Sequence, residues 1–266
     1  MPSAAGTGAY IGRVGTPELS VVIPAYNEGE RLAATLRALA DATAAYEVET
    51  IVVDDGSRDG TAAVAHAILD DQPRGSVIRF EANRGKGAAV RAGVLASTGA
   101  AVLYMDADLA TDLAALPEFL TALADADIVV GSRTLPDAVV RNGTPDRALM
   151  AWVFNRIVRV CTGIRSRDTQ CGFKMLRGNV AHEIFSLTRC DKFAFDVEVL
   201  LLAKRLGLRV VERPVVWTAV EGSSVRRGAD SAQAAYDVVR MALHWRPARV
   251  HEAVTRLRAG ATADEA

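Results

Sequence analysis

The stretch YMDADLATD, residues 104–112, sets Asp106 and Asp108 on either side of one small residue, directly behind an apolar run. At a strand end this spacing lets two carboxylates approach one hard cation. Mg²⁺ and Mn²⁺ take oxygen ligands and commonly bridge protein carboxylates to substrate phosphates. Such an ion offsets the charge of a nucleotide diphosphate and stabilises it as a leaving group. The same residues also suit an aspartate-rich turn in which Thr111 or Asp112 caps the following helix.

Two further stretches could handle a nucleotide. In VVDDGSRDGT (52–61) Asp59 or Ser57 can cap a helix, and Gly56 and Gly60 allow tight turns. One aspartate of Asp54–Asp55 is then spare to accept from a base N–H or a ribose hydroxyl. NRGKG (83–87) sets Lys86 between glycines just before a helix, which suits phosphate. It is no Walker A loop, because Phe80 stands where the first glycine belongs and Gly87 follows the lysine. GTGAYIG (6–12) is no dinucleotide fingerprint either, being one residue too long in its last spacing and preceded by no strand. The histidines His66, His182, His244 and His251 are scattered, and surface or packing roles suit them better than a general-base role. No nucleophile elbow or Ser-His-Asp order appears.

The elements that must position these residues alternate. LSVVIP (19–24), VETIVVDD (48–55), SVIRF (76–80), AAVLYMD (100–106) and ADIVVGS (126–132) read as strands. Helical patterns lie between them at Glu28–Ala42, Thr61–Leu69, Lys86–Ala96 and Leu113–Ala124. This order predicts an α/β fold, a doubly wound, mainly parallel sheet with helices on both faces and a ligand site at the carboxyl ends of the strands. PAYNE, DDGSRDGT, NRGKG, DAD and GSR all fall at those ends. Ordinary turn chemistry explains any one of them. It explains poorly why carboxylates and basic residues gather on one rim.

After residue 140 the alternation stops. A helix with apolar Leu149, Trp152, Val153, Ile157 and Val160 is interrupted by Arg147, Arg156 and Arg159 over 145–164. It reads either as a helix lying at a membrane interface, with Trp152 and Phe154 among its anchors, or as a core helix with arginines in water. Residues 193–208 form a buried helix, RVVERPVVW (209–217) an extended pair broken at Pro214, and Ser231–Trp245 a last helix. The chain divides into a loose leader (1–18), one catalytic-sized domain (19–224) and a helical tail (225–266).

The 266 residues, half of them apolar, suffice for a substantial core, and a formal net charge of −1 gives no global pull toward nucleic acid. The three cysteines, Cys161, Cys171 and Cys190, lack metal-site spacing and read as buried thiols in a reducing compartment. No run approaches the ~18 apolar residues of a membrane span, and the start carries no secretory h-region. The expected place is cytoplasmic, peripheral on the cytoplasmic face of a membrane.

VVIPAYNE, VVDDGSRDGT, NRGKGAAVRAG, DADLATD, GSR, RDTQCGFK and FAFDVEVL occur in that order between Leu19 and Ser224. Together they resemble family 2 glycosyltransferases of the GT-A fold, nearest to dolichyl-phosphate glucosyltransferases and polyprenyl-phosphate mannose synthases. The resemblance implies a nucleoside pocket at Pro24, Tyr26, Glu28, Val53 and Asp55. It implies a metal pair at Asp106 and Asp108 holding Mg²⁺ or Mn²⁺, with Ala107 against the nucleotide. Arg133 is implied as an anion contact, with Arg147 as a second candidate, and Asp168 and Gln170 near the sugar. Ala110 departs from the mannose synthases, which carry a glutamine ligand there. Thr218 and Ser224 replace a basic pair, for which Arg226 or Arg227 is the substitute. DLAT, RDTQCGFK and WTAVEGS are closer to the glucosyl branch and favour UDP-glucose over GDP-mannose.

The implied reaction moves a hexose from the nucleotide sugar to a polyprenyl phosphate with inversion, giving a β-linked product. The acceptor phosphate, with a second pKa near ~6, is already largely ionised and needs no strong base. The alternatives are GDP-mannose as donor, a soluble or carbohydrate acceptor, and a sugar-nucleotide binder without turnover.

Overall fold

The computed structural model describes residues 16–220, 229–243, 252–253 and 255–257. In chain order the elements begin β1 (Leu19–Ala25), α1 (Leu32–Ala42), β2 (Val48–Asp54), α2 (Thr61–Leu69), β3 (Gly75–Arg79), α3 (Lys86–Ala96) and β4 (Ala101–Met105). A 3-10 turn (Leu113–Ala115) then leads into α4 (Leu116–Leu123), β5 (Ile128–Ser132), β6 (Val139–Arg141) and α5 (Pro145–Thr162). The chain continues through β7 (Phe173–Arg177), α6 (Gly178–Leu187), α7 (Phe195–Leu206), β8 (Val210–Pro214), β9 (Val216–Thr218) and α8 (Ala229–Leu243).

Seven strands form one sheet in the order β3-β2-β1-β4-β7-β5-β8, and β6 pairs with β9 separately. The main sheet is parallel except for β7, which runs antiparallel to both β4 and β5. Its central strands are buried on both faces, which is why they read as continuous apolar runs. Alternate residues feed two cores. Val22, Val53, Val102 and Tyr104 face α3, α6 and α7; Val21, Ile23, Leu103 and Met105 face α1 and α4.

The strand order reverses between β1 and β4. The loops leaving these two strands therefore part, and a crevice opens at their carboxyl ends. Val22 pairs with Tyr104, so the register brings the end of β1 level with Asp106.

Several boundaries differ from expectation. The first helix begins at Leu32 rather than Glu28; turns precede it, and the amides of Glu28 and Gly29 donate to Thr61 Oγ1 and Asp59 Oδ2. The two halves of 209–217 join different sheets, β8 on β5 and β9 on β6. Residues 178–187, given no element by the sequence pattern, form α6. The last helix packs on α5 and α7 and buries Ala234 and Val238 in the same core as α7.

On α5, Trp152 (65% exposed) and Val160 (75%) point outward, whereas Phe154 is buried and does not belong to any outer face. Leu149 and Val153 on α5 and Tyr236, Val239 and Leu243 on α8 are exposed as well. Among the described residues no helix is long and apolar enough to cross a membrane.

Candidate active site at the carboxyl rim

The loops after β1, β2 and β3 are laced together. Asn27 donates its amide to Ser57 Oγ (2.9 Å) and accepts from the Arg58 amide through Oδ1 (3.0 Å). Gly60, not Asp59 or Ser57, holds the capping position of α2, and Asp59 accepts from the Thr61 amide beside it (2.9 Å). A cleft of about 280 Å³ opens here, lined by Asn27, Glu28, Arg31 and Asp59 among others. One loop further, the two oxygens of Asp55 accept from the amides of Arg84 (2.7 Å) and Gly85 (2.8 Å). Burial pushes the Asp55 carboxyl up against the pull of those amides. Asp55 thus fixes the NRGKG loop.

That loop delivers Lys86. Gly85 adopts φ +110°, and a Cβ there would meet the Asp191 carbonyl oxygen at 2.3 Å, so only glycine fits. Lys86 Nζ lies 2.5 Å from Asp106 Oδ1. Burial works against its charge, but Asp106, Asp196 and Asp108 outweigh it and hold the ammonium above its ordinary pKa.

Asp106 and Asp108 stand just beyond β4, both half-buried. Asp108 Oδ1 accepts from the Ala110 amide (3.0 Å), and the Ala107 carbonyl accepts from Thr35 Oγ1 (2.6 Å). Between them and Ala110 the backbone turns through Leu109 at φ +54°, a costly conformation for a bulky residue. Burial and the neighbouring Asp106 raise the Asp108 carboxyl. Burial also raises Glu28, with Asp108, Asp106 and Asp59 adding to the effect and Arg31 opposing it. The donor set is hard oxygen in a field that is short of positive charge, which suits a divalent cation. Asp112 is a helix-start residue, accepting from the Ala114 amide (2.9 Å).

On the far side, Arg133 follows β5. Its Nε donates to Asp168 Oδ2 (2.6 Å) and its Nη2 to Oδ1 (2.9 Å), a two-pronged pair. Burial would raise Asp168, but the Arg133 hydrogen bonds and charge prevail and hold it below the carboxylate range. The guanidinium also lies 5.3 Å from the ring centre of Trp217. Trp217 belongs to β9, which runs along the stretch after the DAD pair: the Thr218 amide donates to Ala110 O (2.8 Å) and the Asp112 amide to Val216 O (2.9 Å). DLAT and WTAV therefore form one wall.

Of the residues singled out from sequence, Glu28, Asp55, Lys86, Asp106, Ala107, Asp108, Arg133 and Asp168 all lie at the rim. Pro24 and Tyr26 are partly exposed where β1 ends, and the Gln170 amide donates to Asp168 Oδ1 (3.3 Å). Val53 is fully buried among the α3-facing residues and is not brought to the cleft. Arg226 and Arg227 lie outside the described residues, as do the side chain of Arg147 and residues His244 and His251. His66 pairs with Asp70 and His182 with Ser97 O, both away from the rim. Cys171 and Cys190 are buried free thiols, and burial raises their pKa to about 11 and 12; Cys161 is half-buried.

Sequence reasoning missed three features. Gly172 makes room for Asp106. Trp217 backs Arg133. Beneath both, fully buried Lys174 donates to Cys171 O (2.6 Å) and to Asp196 Oδ1, which also accepts from Tyr104 OH (2.9 Å). The only sequence trace of the last is a lysine inside an apolar run.

The sequence profile described as Glycosyl transferase family 2 matches residues 20–185. The chain is 35% identical over 241 residues to a dolichyl-phosphate beta-glucosyltransferase of Dictyostelium discoideum, covering 84% of this chain and 73% of the relative. It is 38% identical over 231 residues to the Mus musculus protein of the same name, covering 79% and 70%. In structure it resembles glucosyl-3-phosphoglycerate synthase from Mycobacterium tuberculosis, solved with Mn²⁺, uridine diphosphate and phosphoglyceric acid, at a TM-score of 0.64 and 19% identity over 88% of this chain and 81% of that one. The chain belongs to glycosyl transferase family 2 and is a glycosyltransferase of the GT-A fold.

Proposed function

We propose that the protein transfers glucose from UDP-glucose to a polyprenyl phosphate, with inversion, at the rim between Asp106 and Arg133. The alignment with relatives named dolichyl-phosphate beta-glucosyltransferase over more than three quarters of the chain carries the substrate reading. Ala110 supports glucose by likeness, since the mannose synthases that the chain resembles carry a glutamine ligand there.

Asp106 and Asp108 would hold Mg²⁺ or Mn²⁺, a choice supported by the Mn²⁺ and uridine diphosphate in the mycobacterial neighbour. When bound, the ion masks charge on the donor diphosphate and eases its departure. Among the described residues no group of three or more His, Cys, Asp or Glu is placed to hold a metal. The diphosphate and water would supply the other ligands.

Arg133 keeps N–H groups beyond the two given to Asp168, and these would take the acceptor phosphate. Asp168 fixes the plane of the guanidinium. The acceptor oxygen is already anionic, so the chain needs to orient and screen it rather than deprotonate it. The exposed apolar faces of α5 and α8 would rest on the lipid surface that carries the acceptor.

The test is a donor panel of radiolabelled UDP-glucose and GDP-mannose, with polyprenyl phosphate in detergent and Mn²⁺ or Mg²⁺. Label from UDP-glucose should enter the organic phase. Transfer only from GDP-mannose, or only to a soluble phosphorylated acceptor, overturns the reading.

A further inference from the structure

We infer that Lys86 is a placeholder for the cation: its ammonium occupies Asp106 until the metal and the nucleotide diphosphate arrive together. This rests on the reading of Asp106 and Asp108 as the metal pair.

The backbone around Lys86 is held firmly. Asp55 grips the two preceding amides, and Gly85 is pressed against the Asp191 carbonyl. The side chain alone is left to move. It reaches across the rim to Asp106 Oδ1 at 2.5 Å, passes 5.9 Å from the Phe195 ring centre, and remains 21% exposed.

With Lys86 in place, Asp106 is already ion-paired and Asp108 stands beside it. A divalent ion shared by the two carboxylates cannot sit beside that ammonium without strong repulsion, so the lysine must leave Asp106 as the ion enters. Leaving costs the ammonium its carboxylate in a largely buried site. Metal alone supplies no replacement. A diphosphate would supply one, since α3 begins at Lys86 and a helix N-terminus attracts phosphate oxygens. Metal and nucleotide then each raise the affinity of the other, as linkage requires.

The experiment measures Mn²⁺ binding to the full chain by the electron paramagnetic resonance signal of free Mn²⁺, with and without UDP. Lys86→Met should bind Mn²⁺ alone about tenfold more tightly than the unmodified protein. The rise in Mn²⁺ affinity that UDP produces should shrink by a similar factor. Lys86→Gln should behave the same way, and circular dichroism identifies any variant that has not folded. Unchanged or weaker Mn²⁺ binding in both folded variants, with the UDP effect intact, overturns the inference. If the unmodified protein binds no Mn²⁺ with UDP present, or binds it equally after Asp106→Asn, the metal-pair reading falls and the inference with it.

Discussion

Gly172 lies directly across from Asp106, so close that a Cβ on the glycine would stand 2.1 Å from Oδ2 of the carboxylate. The register of β4 and β7 causes this: Met105 pairs with Phe173, and the next pair outward is Asp106 with Gly172. Gly172→Ala should therefore displace the carboxylate while leaving the sheet intact. We expect transfer to fall about 100-fold, since ångström-scale misplacement of a catalytic group costs about that much. Steady-state kinetics beside a circular dichroism spectrum check this; full activity in the alanine variant contradicts the assigned role of Asp106.

Asp168→Asn should destabilise the fold by about 3–5 kcal/mol at pH 7, because it leaves the largely buried Arg133 without its counter-charge. The pH dependence follows from the depressed carboxyl. Its folded value lies below its unfolded one, so the pairing contributes fully above about pH 4 and is lost as pH falls through the folded value. Urea unfolding of both proteins at stepwise lower pH should show their difference shrinking only below about pH 4. A difference that shrinks well above that pH rules out a depressed Asp168.

Asp108→Asn should do the opposite in the metal-free protein. Burial and Asp106 raise this carboxyl, so its ionised form is disfavoured on folding. Stability is lost as pH rises from the unfolded value through the folded one. Asparagine removes the charge and keeps an oxygen for the Ala110 amide. We expect a gain of about 0.5–2 kcal/mol at pH 7 that disappears in acid, together with loss of metal-dependent transfer. Thermal melts without metal measure the first; equal melting temperatures at pH 7 would refute it.

The outward face of α5 offers a separate check. Replacing Leu149 and Trp152, both exposed, by serine removes apolar surface that no described residue covers. Liposome affinity should fall about tenfold for each residue, while the melting temperature stays within a few degrees. Vesicle sedimentation reads the effect directly, and unchanged binding places the membrane contact elsewhere.

Much of this was legible in the residues, and the reason is topological. Buried parallel strands read as unbroken apolar runs, and each ends in turn chemistry, so β1, β2, β4 and β5 and the polar residues behind them stand out. What could not be read were partners supplied from a distance. Lys86 between two glycines suggests phosphate, and nothing near it announces Asp106. Lys174 breaks the apolar pattern of β7, and the counter-charge for its buried ammonium is Asp196, delivered by α7. Asp55 looked free for a ligand because the loop it holds comes from the next strand. Val53 was assigned to the pocket by likeness alone, although its strand position turns it into the core. Val180, Ala181, Ile184 and Phe185 of α6 stand at helical spacing in the sequence and are all buried.

The lacing of the first three loops has a consequence for how the enzyme meets its donor. Loops usually surrender conformational freedom when a ligand arrives, and that loss weakens binding. Here Asn27, Ser57, Asp59 and Asp55 have tied the loops to one another beforehand. If the donor binds there as proposed, this side of the rim meets it with its loops already ordered by folding, and the swing of Lys86 would be the adaptation that remains.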